Sequence, residues 1–294
     1  MRKLPKPVNA PLYNYDKCIE RIGCSSKASL FYSCFSQLNA LMLNYQLKAC
    51  NNDLYTIPSI SSAGNPGLGS LSTDDFKKLY TTYMVNQDER HASRKIYDSI
   101  KASALKCPLC GFGEIYEVDH YLPKSEFPVF SVFSDNLIPC CHPCNHGKLT
   151  AYANTAGQQT LHPYYDEFEI EGFRWLYVDF VSNQDKFEIT YYVDPPKAVN
   201  SVSYSRIFTH FKQFKLENRF KKHALSEMVT ILDSLRQEFP NLGSQLDVQA
   251  HLKDEAKRRL KRHINAWDSA LYDALSQNIP FIGGNYLTQE FNPT

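Results

Sequence analysis

The chain has 294 residues and a formal net charge of +1, and nine of its residues are cysteines. A charge so close to zero argues against a surface that is basic throughout, although a local basic patch is compatible with it. The basic start of the chain is not followed by an apolar run, and no segment reaches the roughly 18 uninterrupted apolar residues of a membrane span. We therefore expect a cytoplasmic protein with no membrane partner and with reduced cysteines.

In chain order, the first predicted element is an amphipathic helix over 27–50, where apolar residues recur every three or four positions. Residues 51–72 are rich in Gly, Ser, Asn and Pro and predict a long loop, which lacks the Gly-Lys-Ser/Thr sequence of a phosphate-binding loop. Ser72 and Asp75 have the spacing of a capping box and predict that a helix follows. Residues 89–105 predict a further helix that leads into the cysteine-rich centre of the chain.

The C-terminal part of the chain predicts a β-hairpin followed by helices. Residues 173–181 and 186–194 are rich in strand-forming residues, and the Ser-Asn-Gln-Asp sequence at 182–185 separates them. The apolar residues from about 202 to 279 return to helical spacing.

Two Cys-x-x-Cys pairs in the centre of the chain predict a metal site. Their cysteines are Cys107, Cys110, Cys141 and Cys144. Gly111 permits the tight turn of the first pair, and four thiolates together make a closed tetrahedral Zn²⁺ site. Such a site is structural because no coordination position stays open for a substrate. The alternative is a set of unliganded core cysteines. Cys140 is out of register with the pairs, and we interpret it as a buried thiol.

The segment between the pairs carries polar residues that a purely structural finger does not need. Asp119 and His120 end a short β-like run. Asn136 precedes a second short strand, and Asn145 lies in the first turn of a predicted helix. The predicted order is therefore strand, loop, strand and helix. A salt bridge at a strand end is the alternative interpretation of the Asp-His pair.

This stretch, about 107–150, resembles the ββα-metal finger of the HNH endonucleases. That family carries Asp-His on the first strand, a central Asn in the loop and a His or Asn on the helix, often within C-x-x-C-[HN]-x-x-K. The chain matches this pattern as an H-N-N variant, through Asp119–His120, Asn136 and Asn145. The flanking helices are similar to those of a bacterial group that includes the nucleases of the anti-phage Septu type, in which the nuclease works beside an ATPase.

The resemblance implies a metal-dependent endonuclease that acts on DNA. A neutral imidazole accepts a proton from water near pH 7, so His120 is the candidate general base. The resemblance implies that Asp119 and Asn145 bind a catalytic Mg²⁺ or Mn²⁺, which prefers oxygen ligands. It also implies that Asn136 holds the loop in shape, and Lys148 is expected to approach a substrate phosphate.

Several assignments stay open at this point. His146 lies next to Asn145, and a shift of one residue would make it the metal ligand. The basic segments 211–223 and 253–263 are either solvated helix faces or contacts to a DNA backbone. The competing function is a zinc-stabilised module that binds nucleic acid or protein without cutting it. The resemblance further implies a separately encoded ATPase partner and a role in anti-phage defence.

The predicted fold class is α+β: a mostly helical protein with a central zinc-stapled ββα-metal finger and an added β-hairpin. We predict three regions along the chain. They are an N-terminal helical region at 1–104, the nuclease module at 105–165, and the hairpin with the C-terminal helices at 166–294.

Overall fold

Helices make up most of the described chain, and two small sheets of two antiparallel strands each accompany them. The computed structural model describes residues 1–59, 68–182, 187–241 and 245–288. The chain forms two units, Met1–Glu167 and Phe168–Thr294. The predicted mixture of helix and sheet is confirmed. Across the described ranges, no helix combines the length and the apolar character that crossing a membrane requires.

Helices precede the cysteine-rich segment of the first unit. They are α1 Tyr13–Ile19, α2 Ser25–Ser33, α3 Phe35–Cys50, α4 Thr73–Tyr80 and α5 Ala92–Ala102. The predicted capping box at α4 is confirmed, because the Asp75 amide donates to the Ser72 hydroxyl and the Asp75 carboxylate accepts from the Ser72 amide. The short helix α1 was not predicted from the sequence.

The predicted helix over 27–50 is two helices, with Cys34 between them. Cys34 has φ −94° and ψ 1°, which departs from helical geometry, and its thiol points at the carbonyl oxygen of Leu68 at 3.8 Å. Because of this bend, α2 and α3 pack against different parts of the first unit. Phe31 of α2 meets Phe76 of α4 edge to face at 5.3 Å. Helix α3 instead buries one face, which consists of Leu38, Met42, Tyr45 and Ala49.

The cysteine-rich segment folds as strand, loop, strand and helix, which is the predicted order. Strand β1 Glu117–His120 pairs antiparallel with β2 Leu137–Cys140, and α6 His142–Lys148 follows directly. The register sets His120 opposite Leu137, and the Tyr121 amide extends the ladder by donating to the carbonyl oxygen of Asn136 at 2.8 Å. The end of β1 and the end of the loop therefore lie side by side.

The second unit contains the predicted hairpin and the C-terminal helices. Strand β3 Leu176–Ser182 pairs with β4 Phe187–Val193, which confirms the hairpin, while residues 183–186 of its predicted turn lie outside the described residues. Part of the predicted loop at 51–72, residues 60–67, also lies outside them. The helices are α7 Glu167–Glu171, which begins at the last residue of the first unit, α8 Ser201–Gln213, α9 Leu216–Glu238, α10 Gln245–Arg262, α11 Trp267–Gln277 and α12 Tyr286–Thr288.

Candidate metal centre and the Asp119–His120 cluster

Four cysteine thiols meet in the first unit. All four side chains are buried, and their Sγ atoms lie within 4.8 Å of one another. They belong to Cys107, Cys110, Cys141 and Cys144. The Sγ atoms of Cys110 and Cys141 are 3.8 Å apart. A tetrahedral zinc ion with bonds of about 2.3 Å requires sulfur atoms about 3.8 Å apart. The donor set and its geometry therefore fit a structural metal such as zinc, as the paired spacing predicts.

Glycines and backbone hydrogen bonds shape the first cysteine pair. The Gly111 amide donates to the carbonyl oxygen of Cys107 at 2.7 Å, and the Cys107 amide donates to the carbonyl oxygen of Gly113 at 2.8 Å. Gly111 has φ +85°, in the left-handed region that favours glycine. A Cβ atom on Gly113 would lie only 2.8 Å from the Sγ atom of Cys141. Gly113 therefore permits the two pairs to approach, a role that the sequence alone did not reveal.

The second cysteine pair opens α6. Cys141 precedes the helix as its cap residue, and the Cys144 amide donates to the carbonyl oxygen of Cys141 at 3.0 Å. Cys140 belongs to β2 instead, and its buried thiol lies outside the four-cysteine cluster. Burial raises the pKa of the Cys140 thiol well above its usual value, so this side chain remains a neutral core residue.

His120 lies at the end of β1 in a buried, orienting environment. Its Nε2 atom is 2.8 Å from the carbonyl oxygen of Ser131, and the ring of Tyr80 packs against it at a centroid distance of 4.4 Å. A carbonyl oxygen only accepts hydrogen bonds, so Nε2 carries the proton and the lone pair of the neutral ring is on Nδ1. Burial lowers the pKa of His120 to about 3, with a contribution from the charge of Lys124. The ring is therefore neutral at physiological pH.

Asp119 and Lys148 form a buried pair of opposite charges beside His120. The Asp119 Oδ2 atom lies 3.7 Å from the Nζ atom of Lys148, and its Oδ1 atom accepts from the His120 amide at 2.7 Å. Lys148 Nζ also donates to the carbonyl oxygen of His120 at 2.6 Å. Burial raises the pKa of Asp119 and lowers that of Lys148, because desolvation outweighs their mutual attraction. The predicted phosphate ligand Lys148 thus lies inside the protein and ties α6 to β1.

Asn136 is fully buried and uses its side chain to close the loop. Its Oδ1 atom accepts from the Leu122 amide at 2.7 Å and from the Tyr45 hydroxyl at 3.1 Å. Its Nδ2 atom donates to the carbonyl oxygens of Leu122 at 3.0 Å and Phe130 at 3.2 Å. Both ends of the carboxamide are therefore engaged with the backbone on either side of the loop and with α3. This geometry agrees with the loop-holding role that the resemblance implies.

Asn145 and His146 lie on different faces of helix α6. Asn145 is half-buried and lies one turn before Lys148, on the face that meets β1. His146 is exposed, and its ring packs instead on the ring of His142, one turn earlier, at 4.4 Å. The His142 Nδ1 atom is in turn 3.2 Å from a carboxylate oxygen of Glu117. The helix therefore turns Asn145, and not His146, toward the side of α6 that carries Lys148.

The structure adds two residues to this cluster that the sequence analysis did not single out. The hydroxyl of Tyr80 donates to the carbonyl oxygen of Val118 at 2.7 Å, which sets its ring against His120. The ammonium of Lys124 lies over the same ring, 4.6 Å from its centroid. Burial lowers the pKa of Lys124, and Asp119 opposes that shift. No carboxylate of the described residues lies within ion-pair distance of Lys124. It is therefore a cation beside Asp119 and His120 that has no counter-ion from the described part of the chain.

Comparison with known proteins gives one full-length likeness. The chain is 28% identical over 298 residues to Protein ea31 of Escherichia phage lambda, in an alignment that covers 97% of this chain and all of that protein. The similarity therefore extends across both units. No protein-family model matches the chain, and no solved structure matches it.

Proposed function

We propose that the chain is an HNH-type endonuclease that hydrolyses phosphodiester bonds of DNA with a divalent metal ion. The observation that carries the proposal is the environment of His120. Its Nε2 atom is fixed by Ser131, and its Nδ1 atom makes no hydrogen bond with the described residues. A buried imidazole oriented in this way beside a carboxylate has the features of a general base. A finger that only binds does not need them.

His120 is the proposed base that takes a proton from the attacking water at Nδ1. The Ser131 carbonyl stabilises the positive charge that the ring gains, because it accepts the Nε2 proton at 2.8 Å. Ser131 is itself held, since its hydroxyl donates to the carbonyl oxygen of Phe76 in α4 at 2.6 Å. Helix α4 therefore positions the base through one intermediate residue, as a well-oriented catalytic group requires.

Asp119 and Asn145 are the proposed holders of the catalytic Mg²⁺ or Mn²⁺. Both offer oxygen donors, and burial raises the pKa of the Asp119 carboxyl because the attraction of the Lys148 ammonium, 3.7 Å away, only partly offsets its desolvation. Such a carboxylate fits a hard divalent cation. When bound, the ion would supply stabilisation of the charge on the scissile phosphate and on the departing oxygen.

Lys124 is the proposed contact to the substrate phosphate, in place of Lys148. The Lys148 ammonium is engaged with Asp119 and with the carbonyl oxygen of His120. Lys124 lies over the ring of Tyr80 without a carboxylate of the described residues within ion-pair distance, and its charge acts on both Asp119 and His120. A phosphate at the cluster would provide the counter-ion that Lys124 lacks in the described chain.

The four-cysteine site serves as a scaffold in this proposal. It joins the loop before β1 to the start of α6, which are the two segments that flank the Asp119–His120 cluster in sequence. Binding energy from a structural metal is folding energy, so the short finger acquires stability that its small core does not provide. Zinc thus fixes the relative positions of β1 and α6.

The setting that we propose, anti-phage defence together with a separately encoded ATPase, derives from the resemblance to Septu-type nucleases. Its test is expression of the gene with its genomic neighbours, followed by measurement of the mass of any complex that co-purifies. A chain that is fully active, non-toxic and monomeric when it is co-expressed with its genomic neighbours would contradict the proposal of an ATPase partner.

The nuclease itself is tested by incubating purified protein with supercoiled plasmid in Mg²⁺ or Mn²⁺. Wild type is expected to nick or linearise the plasmid, and His120→Ala to lose at least about 100-fold in rate. The matched control is His142→Ala, which removes an exposed imidazole from the same finger. Cleavage at the same rate by wild type and His120→Ala would reject the proposed base. Plasmid binding without cleavage by wild type would favour the zinc-stabilised binding module.

A further inference from the structure

We infer that the second unit carries a separate binding site for the phosphate backbone of double-stranded DNA, formed by a row of lysines on α10. The row consists of Lys253, Lys257 and Lys261, each four residues from the next. Four residues advance an α-helix by about 6 Å and return to nearly the same face. Three ammonium groups are therefore presented along about 12 Å of one side of α10.

The lysine row differs from Arg258 and Arg259 of the same helix in its lack of counter-ions within the described part of the chain. Arg258 pairs with Glu255, and Arg259 pairs with Glu255 and Asp268. By contrast, no carboxylate in the described part of the chain lies within ion-pair distance of a lysine of the row. All three lysines are exposed. Their charge is available to an external anion, whereas the charge of these arginines is compensated within the fold.

The lysine row borders a groove of about 470 Å³ with an apolar floor. Its apolar lining residues are Ala256 and Leu260 of α10 and Ile264, which lies just after the end of the helix at Arg262. Arg174 and Asp273 also line the groove and pair with each other at 2.7 Å. Asp273, the one carboxylate among the described lining residues, is therefore compensated, and the row supplies the uncompensated charge that these residues bring to the groove.

The charges and the lining together favour a DNA duplex as the occupant. A duplex presents one phosphate every 3.4 Å or so along each strand, which allows flexible lysines about 6 Å apart to contact several phosphates. Sequence-independent binding of single strands relies on aromatic side chains that stack on bases. None of the described residues that line this groove is aromatic. Contact with the backbone alone is therefore expected, without preference for single strands or for a base sequence.

The test measures DNA binding by the full chain without added divalent metal, so that the result does not depend on cleavage. A fluorescently labelled duplex of about 30 base pairs is titrated by anisotropy at KCl concentrations from about 50 to 200 mM. The variant is Lys253→Gln/Lys257→Gln/Lys261→Gln. We expect its affinity to fall at least about tenfold and the slope of log affinity against log salt to become shallower by about 2.7, or about 0.9 for each lost phosphate contact.

The matched control removes three lysines that form no row and lie outside both basic segments, in Lys78→Gln/Lys95→Gln/Lys197→Gln. It changes the net charge by the same amount, and its residues are also exposed. We expect the control to keep the wild-type slope to within about one unit. An equal loss in both triple variants would show a general charge effect and overturn the site, as would wild type that does not bind duplex.

A parallel titration with labelled polyglutamate distinguishes DNA from an acidic protein. We expect the row variant to lose much more affinity for duplex than for polyglutamate. The opposite pattern, with duplex binding unchanged, would overturn the inference in favour of an acidic protein partner. Equal thermal unfolding of wild type and both variants verifies that the exposed substitutions leave the fold intact.

Discussion

The carbonyl oxygen of Ser131 accepts a hydrogen bond from Nε2 of His120 at 2.8 Å, and this contact decides which nitrogen of the ring is basic. Ser131 belongs to the loop between the two strands of the finger, eleven residues after His120. The loop therefore orients the end of the first strand. Any substitution that moves this carbonyl also removes the hydrogen bond that fixes the tautomer of the ring.

The buried neutral His120 is expected to make stability fall in acid. Its pKa is about 3 in the folded protein, below the ordinary value of 6.5, so the unfolded chain takes up the proton first as the pH falls. The resulting stability is fully present above pH 6.5 and is lost as the pH falls toward 3. Between about pH 7.5 and pH 5 the loss from this residue is about 2 kcal/mol. Urea unfolding of wild type and His120→Gln without added Mg²⁺ measures it. Equal pH dependence in the two proteins would contradict a buried neutral imidazole.

Loss of one cysteine of the cluster is expected to remove the structural metal. Cys107→Ser and Cys144→Ser should each bind less than one equivalent of zinc and unfold at lower temperature, because metal binding stabilises the finger. The control is Cys140→Ala, whose thiol is buried nearby but outside the cluster and which should retain its zinc. Elemental analysis that finds no zinc in wild type would reject the four-cysteine assignment.

The two asparagines are expected to separate stability from activity. Asn136→Ala removes four side-chain hydrogen bonds in the core and should lower the free energy of unfolding by about 3 kcal/mol. The Asn145 side chain is half-buried, so Asn145→Ala should change the free energy of unfolding by less than about 0.5 kcal/mol. It should nevertheless abolish cleavage. His146→Ala should remain active. The reverse outcome, an active Asn145→Ala and an inactive His146→Ala, would assign the third motif position to His146.

The two lysines of the cluster should likewise differ in effect. Lys124→Ala is expected to slow cleavage by roughly 100-fold with little change in stability, because it removes a cation from the substrate site. Lys148→Ala should destabilise the protein by about 3 kcal/mol, because it leaves the Asp119 carboxylate buried without its partner. Lys101→Ala serves as the control, since Lys101 also lies near an aromatic ring, that of Tyr97, but is not part of the cluster. Full activity of Lys124→Ala would contradict the phosphate contact.

The sequence by itself determined the elements whose signals are local. Each of these signals acts over a few residues. The Cys-x-x-Cys spacing predicts the cysteine cluster, and the capping box at Ser72 predicts the start of helix α4. The strand-forming residues of the hairpin predict the pairing of β3 with β4. The order of strands and helix in the finger was readable for the same reason.

Only the tertiary structure decided which side chains surround His120. Tyr80 reaches it from helix α4, which is distant in sequence, and Ser131 reaches it from the loop that follows β1. The burial that makes the ring neutral depends on both elements together. Packing also decides that Lys148 is oriented toward Asp119 and that Lys124 has no such partner among the described residues. Local patterns identify residues that are able to ionise, but desolvation and charge neighbours are properties of the folded chain, so they determine which of those residues carry charge and where it acts.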